Sequence, residues 1–225
     1  MSLDDEKRAA AYAAVDCYVR NGSCIGLGTG TTAFWAIARV AERIADGWRL
    51  TVVASSEATA RACRERSIPL VGLLEQPMEV AIDGADEVAS DFSLIKGGGG
   101  ALFREKTVAL AAASFIVIVS ENKLVERLGA FALPVEVVPF ALAYVEREIG
   151  TLVAYTLRKR ADGSVFMTDN GNVLLDCAFG TIEDPAALDA RLRSIHGVVA
   201  TGLFVGITSA VVVGSANGVR EVARR

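Results

Sequence analysis

Histidine is almost missing from this chain: His196, in RSIHGVV, is the only one among 225 residues. That excludes zinc sites built from several imidazoles, and it leaves proton transfer to carboxylates and lysines. His196 itself reads as a helix-end cation or a packed side chain. Cysteine is sparse too. Cys17, Cys24, Cys63 and Cys177 form no CxxC pair and no metal-like spacing, which suits reduced thiols in a cytoplasmic protein. A basic excess is also lacking. The formal charge of -4 argues against broad nucleic-acid binding, which needs a cationic face, but a few lysines and backbone N–H groups can still hold a small anion. The longest apolar run, VALAAASFIVIV from Val108 to Val119, is about half of what a bilayer crossing needs. The start, MSLDDEKRAA, has neither the cationic head nor the apolar stretch of a signal peptide. No nucleic-acid or membrane partner is expected.

What is present is a folded, core-forming composition, 52% hydrophobic and 22% charged. DEKRAAAYAAVDCYVR (5–20) carries apolar residues at helical spacing and ends at Asn21-Gly22. SCIGLG reads as a buried strand, GTGTT as a turn, and a helix then runs to about Ile44. LTVVAS is a strand, 56–66 a helix, IPLVGL a third extended stretch, and VAIDGADEV a strand entering a polar turn. ALFREKTVALAAA is a helix and FIVIVS an apolar strand. Strands apolar on both faces, alternating with helices, imply a mostly parallel, Rossmann-like α/β sheet covered on both sides. Ligands of such sheets sit beyond the carboxyl ends of the strands, so the turns GTGTT, DGADE and SENK should gather at one edge.

Past Pro134 the rhythm changes. LPVEVVP, ALAYVEREIG and LVAYTLRK read as strand, helix, strand. VFMTDNGNVLLDC reads as a hairpin about Asn170-Gly171, DPAALDARLRSI as a helix opened by Asp184 and Pro185, and GVVATGLF as a strand. That order predicts a smaller α+β ferredoxin-like domain. The expected division is a main domain of residues 1–130 and 205–225 and a small one of 131–204. AVVVGSANGVREVA should return to the main domain as a strand and a helix.

Three segments can carry chemistry. In GLGTGTT, glycines let the backbone approach an anion, and the next helix offers N–H groups there. It is neither a P-loop, because no GK[ST] follows, nor a complete GxGxxG, because Ala33 stands where the last glycine would be. The threonines favour a phosphate or sugar-hydroxyl site over a bland turn. In DGADE, Asp83 and Asp86 can serve an Asx-turn, a magnesium ion, or carboxylate–lysine chemistry with Lys96. The nearby ammonium group ranks the last above metal binding. Glu105 shares a helix face with Leu102, Ala109 and Ala112. That predicts a partly desolvated carboxylate with its pKa raised toward the range of a general base. KGGGG adds Lys96 and amides unshielded by side chains, a device for a developing oxyanion. Arg104 and Lys106 read as surface charges.

GLGTGTTA, SSEAT, DGADEV, LIKGGGGALFREK, ENKLV, LPVEVVP and TDNGNVLLD occur in this order, and together they closely resemble type A ribose-5-phosphate isomerase over nearly the whole chain. The resemblance implies interconversion of ribose 5-phosphate and ribulose 5-phosphate through an enediolate, with no metal and no organic cofactor. By motif, Glu105 resembles the proton acceptor between C2 and C1. Lys96 and the N–H groups of Gly97, Gly98 and Gly99 resemble the oxyanion stabilisers. Asp83 resembles the residue that assists ring opening or moves the hydroxyl proton. The turn Asp83-Gly84-Ala85-Asp86, the turn Thr29-Gly30-Thr31-Thr32, and Lys123 resemble substrate contacts, with Lys7 a further one. The resemblance also implies a homodimer and, as ligand, a small-molecule pentose phosphate.

Some positions depart from the family. Thr31 stands where serine is common, and Gly100 replaces a frequent alanine. TLVAYTLRKRADGS lacks the expected Gly-x-Pro-x-x-Arg pattern, and FVGITSA replaces a more polar stretch. Two rival readings fit the sequence less well. An amino-sugar phosphate isomerase–deaminase recruits a histidine for ring opening, and His196 is far from the motif turns. A non-catalytic sugar-phosphate sensor carries a DNA-binding segment, for which the chain has no basic patch.

Overall fold

The computed structural model describes residues 2–222. First come α1 (Leu3–Tyr18), β1 (Cys24–Leu27), α2 (Thr31–Ala45), β2 (Thr51–Ala54) and α3 (Glu57–Glu65). Next are β3 (Met78–Asp83), β4 (Glu87–Val88), β5 (Leu94–Ile95), α4 (Leu102–Ala111) and β6 (Ala112–Ser120). Then follow β7 (Leu133–Val137), α5 (Leu142–Gly150), β8 (Tyr155–Leu157), β9 (Val173–Cys177) and α6 (Pro185–Arg193). The chain closes with β10 (Val198–Thr201), β11 (Leu203–Phe204), β12 (Ala210–Ser215) and β13 (Gly218–Val222). Two compact units result. The first comprises Met1–Ala85, Arg104–Leu124 and Gly206–Arg225, and the second Asp86–Phe103 and Val125–Val205.

The first unit is a six-stranded sheet in the order β13-β12-β6-β3-β1-β2, parallel except for β13. Ser2 and Asp5 start α1 with a reciprocal capping box, which satisfies two amides that the first turn would otherwise orphan. α1 buries Ala10, Ala11, Ala14 and Val15 in one core with Ile25, Leu27, Ile37, Val40, Ile82 and Ile118. The opposite face of β1 meets α4, where a Cβ on Gly26 would fall 2.5 Å from Val108. Both faces are therefore covered, as the two-sided apolar strands require. No helix among the described residues is long and apolar enough to cross a membrane.

Two local expectations need correction in this unit. IPLVGL contributes only a single parallel bridge, Val52 to Leu70. The chain end is a strand rather than a helix: β13 pairs antiparallel with β12, turning between Ser215 and Gly218. Gly218, at φ 112°, supplies the left-handed backbone that ends a tight hairpin. This Asn217-Gly218 turn signal outweighs the weak helical pattern that follows it.

In the second unit, β7, α5, β8, β9, α6 and β10 build an antiparallel sheet in the order β10-β7-β9-β8. That is the ferredoxin-like arrangement. Asp184 caps α6 by accepting from Ala187 N at 2.9 Å, with Pro185 in its first turn. The sheet's core holds Leu133, Val135, Val137, Val145, Ile149 and Leu175. The turn at Asn170-Gly171 closes with Thr168 N donating to Asn172 O at 2.8 Å. The partner segment before it makes only the bridge Lys159–Val165, not a full strand.

A second small sheet, β11-β5-β4, shifts the division expected from sequence. Residues 86–103 and 125–130 fall in the second unit, because β5 pairs with the distant β11 through Leu203–Ile95 and Phe204–Leu94. Burial supports that placement. Glu87 of β4, 4% exposed, accepts from Gly129 N at 2.7 Å and Phe131 N at 2.5 Å.

Candidate active site

Within the first unit, β1, β3 and β6 are parallel neighbours, in register at Leu27–Ile82 and Asp83–Val117. The turns that follow them, Gly28–Thr32, Asp83–Ala85 and Ser120–Lys123, thus come to one edge of the sheet, as expected. Asp83, 3% exposed, ends β3. Its Oδ1 accepts from Gly84 N at 2.7 Å and from Thr29 N at 3.1 Å. Gly28 has to be glycine here, since a Cβ would sit 1.8 Å from that same oxygen. The first β–α turn is in this way fastened to the aspartate at the end of the adjacent strand.

The threonines of that turn divide the work differently from a row of ligand hydroxyls. Thr29 Oγ1 lies 3.0, 2.8 and 3.1 Å from the hydroxyls of Ser55, Ser56 and Thr59. Thr59 Oγ1 donates to Gly28 O at 2.7 Å. Its side chain is committed to holding the turn. Thr31 is exposed and accepts from Lys7 Nζ at 3.0 Å, which brings Lys7 to the same turn. Gly30, at φ 105°, caps α2, and Thr32 lies next to Gly84, 3.8 Å from where its Cβ would be. Sequence reasoning misses Ser55, Ser56 and Thr59 as individual site residues. SSEAT, with Ser56 capping α3 by accepting from Thr59 N, is the signal that marks them.

Glu105 is 5% exposed and sits in the first turn of α4. α4 runs directly into β6, so it travels from the carboxyl edge of the sheet back to the amino edge. Its first turn therefore belongs to the edge that carries Asp83 and the Gly28–Thr32 turn. Leu102, Glu105, Val108 and Ala109 are the buried stripe, while Ala112 has already become strand. Arg104 is paired with Glu57 at 2.9 Å, and that guanidinium holds the Glu57 carboxyl below its ordinary range. Lys123, half-buried, follows β6 in a short 3-10 turn, Glu121–Lys123.

The second unit holds Asp86 and the Lys96–Gly100 segment. Lys96 is 2% exposed, its N–H donates to Gly202 O at 2.9 Å, and its Nζ lies 5.6 Å from the centre of the Phe204 ring. An ammonium buried to that degree has to be paired or hydrogen-bonded to be tolerated. Gly97 and Gly100, at φ 105° and 81°, bracket a turn closed by Gly100 N donating to Gly97 O at 3.0 Å. Asp86 Oδ2 accepts from Gly98 N at 2.8 Å. This corrects one expectation: the Gly98 amide, grouped with Gly97 and Gly99 as an oxyanion donor, is engaged by Asp86. A side chain at 98 would also strike that carboxylate, a Cβ lying 2.7 Å from Asp86 Oδ1. His196 is exposed beyond the end of α6. No cluster of metal-binding side chains occurs among the described residues.

An open parallel sheet with an acid and hydroxyl-rich turns at its carboxyl edge defines an α/β protein with a polar site at its strand ends. Comparison with known proteins narrows that class. The family model for ribose 5-phosphate isomerase A (phosphoriboisomerase A) matches residues 51–218. Ribose-5-phosphate isomerase A of Roseiflexus sp. (strain RS-1) is 48% identical over 98% of this chain and 97% of its own. That of Bacillus mycoides (strain KBAB4) is 42% identical over 95% and 96%. Among solved structures, a D-ribose-5-phosphate isomerase in complex with phospho-erythronic acid superposes with a TM-score of 0.95 at 34% identity, covering 100% of both chains. Ribose 5-phosphate isomerase A from Methanocaldococcus jannaschii gives 0.94 at 36%, again over 100% of both. This chain belongs to the ribose 5-phosphate isomerase A family.

Proposed function

We propose that this protein interconverts D-ribose 5-phosphate and D-ribulose 5-phosphate, the aldose–ketose isomerisation of the non-oxidative pentose phosphate branch. The observation that carries the reading is a buried glutamate, Glu105, at the carboxyl edge of the sheet in a chain of this family. In the aldose the C2–H bond is weakly acidic because the adjacent C1 carbonyl can take up its electrons. Glu105 removes that proton, the C2 electrons form the C1–C2 double bond, and charge moves to O1 as an enediolate. The same carboxyl returns the proton to C1, and the carbonyl re-forms at C2. Lys96 and the amides of Gly97 and Gly99 stabilise the oxygen that carries the developing charge. Asp83 moves the hydroxyl proton and assists ring opening.

The Gly28–Thr32 turn, Lys123, Lys7 and the Asp83–Asp86 turn bind the substrate in this reading, with the phosphate favoured by backbone amides and lysines. Asp83 and Asp86 both accept backbone N–H groups, which suits turn-holding carboxylates better than ligands of a divalent ion. No metal or organic cofactor is required. A homodimer in the cytoplasm is the working assembly, which light scattering of the purified protein tests.

The deciding experiment is ketose formation from ribose 5-phosphate by purified protein. Glu105→Gln should lower kcat by at least about 10²-fold, the usual worth of a positioned general base, while still binding a phosphorylated four-carbon sugar acid. Near-parental turnover by that variant would remove Glu105 from the role of base.

A further inference from the structure

The glycine strip is held from behind by a residue that the reaction outlined above does not use. Arg158 follows β8, with its side chain 14% exposed. Its Nη1 donates to Gly97 O at 2.8 Å and to Gly98 O at 3.2 Å. The other edge of the guanidinium is clamped by Asp176 of β9: Nε donates to Oδ2 at 2.9 Å, and Nη2 donates to Oδ1. Phe166 completes the support. Its ring centre is 5.9 Å from Arg158 Cζ, and its edge lies where a Cβ on Gly100 would fall, at 2.5 Å.

We infer that Arg158, anchored by Asp176, is a positioning residue that aims the Gly99 N–H. The argument is peptide geometry. In a trans peptide the C=O of one residue and the N–H of the next point in opposite directions, and no cis peptide occurs among the described residues. Holding Gly97 O toward Arg158 turns the Gly98 N–H the other way, where it meets Asp86. Holding Gly98 O toward Arg158 turns the Gly99 N–H away from the guanidinium as well. Gly98 and Gly99 are exposed, so the Gly99 amide, turned away from the guanidinium, is open to an incoming ligand. A run of glycines has the widest backbone freedom of any sequence, and without an external clamp these peptides would rotate. A cation on the carbonyl also polarises the peptide and strengthens its N–H as a donor. Arginine suits the task because its planar fork serves two carbonyls and a carboxylate together, which a lysine ammonium does not.

The inference rests on the isomerase reading for its kinetic consequence and has a second readout that does not. In Arg158→Met, with fold checked by circular dichroism and melting temperature, kcat should fall about tenfold or more, below the 10²–10³-fold seen when an oxyanion donor is deleted outright. KM should change by less than about threefold, because the substrate's phosphate contacts lie elsewhere. In the ¹⁵N-glycine-labelled protein the Gly98 and Gly99 amide resonances should shift, and the Gly98 amide, bonded to Asp86 in the parent, should lose exchange protection. A folded Arg158→Met protein with kcat within about twofold of the parent, or with those resonances unmoved, overturns the inference. If Arg158→Met does not fold, Asp176→Asn, which frees one edge of the guanidinium, is read by the same two measurements and the same limits. A parent protein that fails to isomerise ribose 5-phosphate sinks the functional reading, whereas the amide resonances still decide the role of Arg158.

Discussion

Asp83 Oδ1 accepts the Thr29 N–H at 3.1 Å, tying the first β–α turn to the end of the neighbouring strand. The bond exists because Gly28 leaves the carboxylate room, and because β1 and β3 lie side by side in register. One carboxylate oxygen thereby fixes both the turn after β1 and the turn after β3, accepting from Thr29 N and from Gly84 N.

Gly28→Ala is expected to abolish most activity while leaving a folded protein. The new methyl must displace the Asp83 carboxylate, which it would approach to 1.8 Å, and the cost of such overpacking is about 1–3 kcal/mol. Gly26→Ala is the control, since its Cβ meets the Val108 side chain rather than an acid. It should lower the melting temperature with kcat nearly unchanged. Parental kcat in a folded Gly28→Ala protein would show that the Asp83 carboxylate tolerates displacement.

Asp16 of α1 receives Arg39 and Arg43 of α2, at 2.8 and 2.7 Å. Burial pushes its carboxyl up, but the two guanidiniums outweigh that and hold it below the ordinary value. A depressed folded value means that the contribution is fully present above the unfolded pKa and is lost as pH falls through the folded one. Asp16→Asn should therefore destabilise the protein by about 1 kcal/mol at neutral pH, discounted for solvent screening. The gap between variant and parent should close as the solution is acidified below pH 3.8. A gap that stays constant with pH in denaturant titrations would contradict the ion-pair origin.

Burial pushes the thiol of Cys63 up to about 11 and that of Cys177 up to about 12, while Cys17 is exposed and Cys24 buried. Only the thiolate reacts with disulfide reagents. Native protein at pH 8 should show one rapidly reacting thiol, and denatured protein all four. Two or more fast thiols in the native state would show that the buried cysteines open readily.

Much of the architecture was legible in the chain because its signals are local. Two-faced apolar strands, Asp184-Pro185 before α6, and the order strand–helix–strand–strand–helix–strand each announce their element within a few residues. The edge shared by Thr29, Asp83 and Lys123 followed from the parallel sheet alone. Glu105 declared itself as the one acid on an otherwise apolar stripe. The terminal β13 is not legible in the sequence because Asn217-Gly218 competes with a short helical pattern, and only pairing with β12 decides between them.

Sequence by itself determined which residue types could do chemistry here: one histidine left the work to acids, lysines and amides, and the motif set named the family. Tertiary structure alone decided how those groups are employed. It spent the Thr29 hydroxyl on Ser55, Ser56 and Thr59, gave the Gly98 amide to Asp86, moved residues 86–103 into the second unit through β11, and set Arg158 behind the glycines. Each of these is a contact between segments distant in sequence. Hydrogen bonds of that kind depend on where the backbone finally packs, and no periodicity or spacing along the chain encodes them.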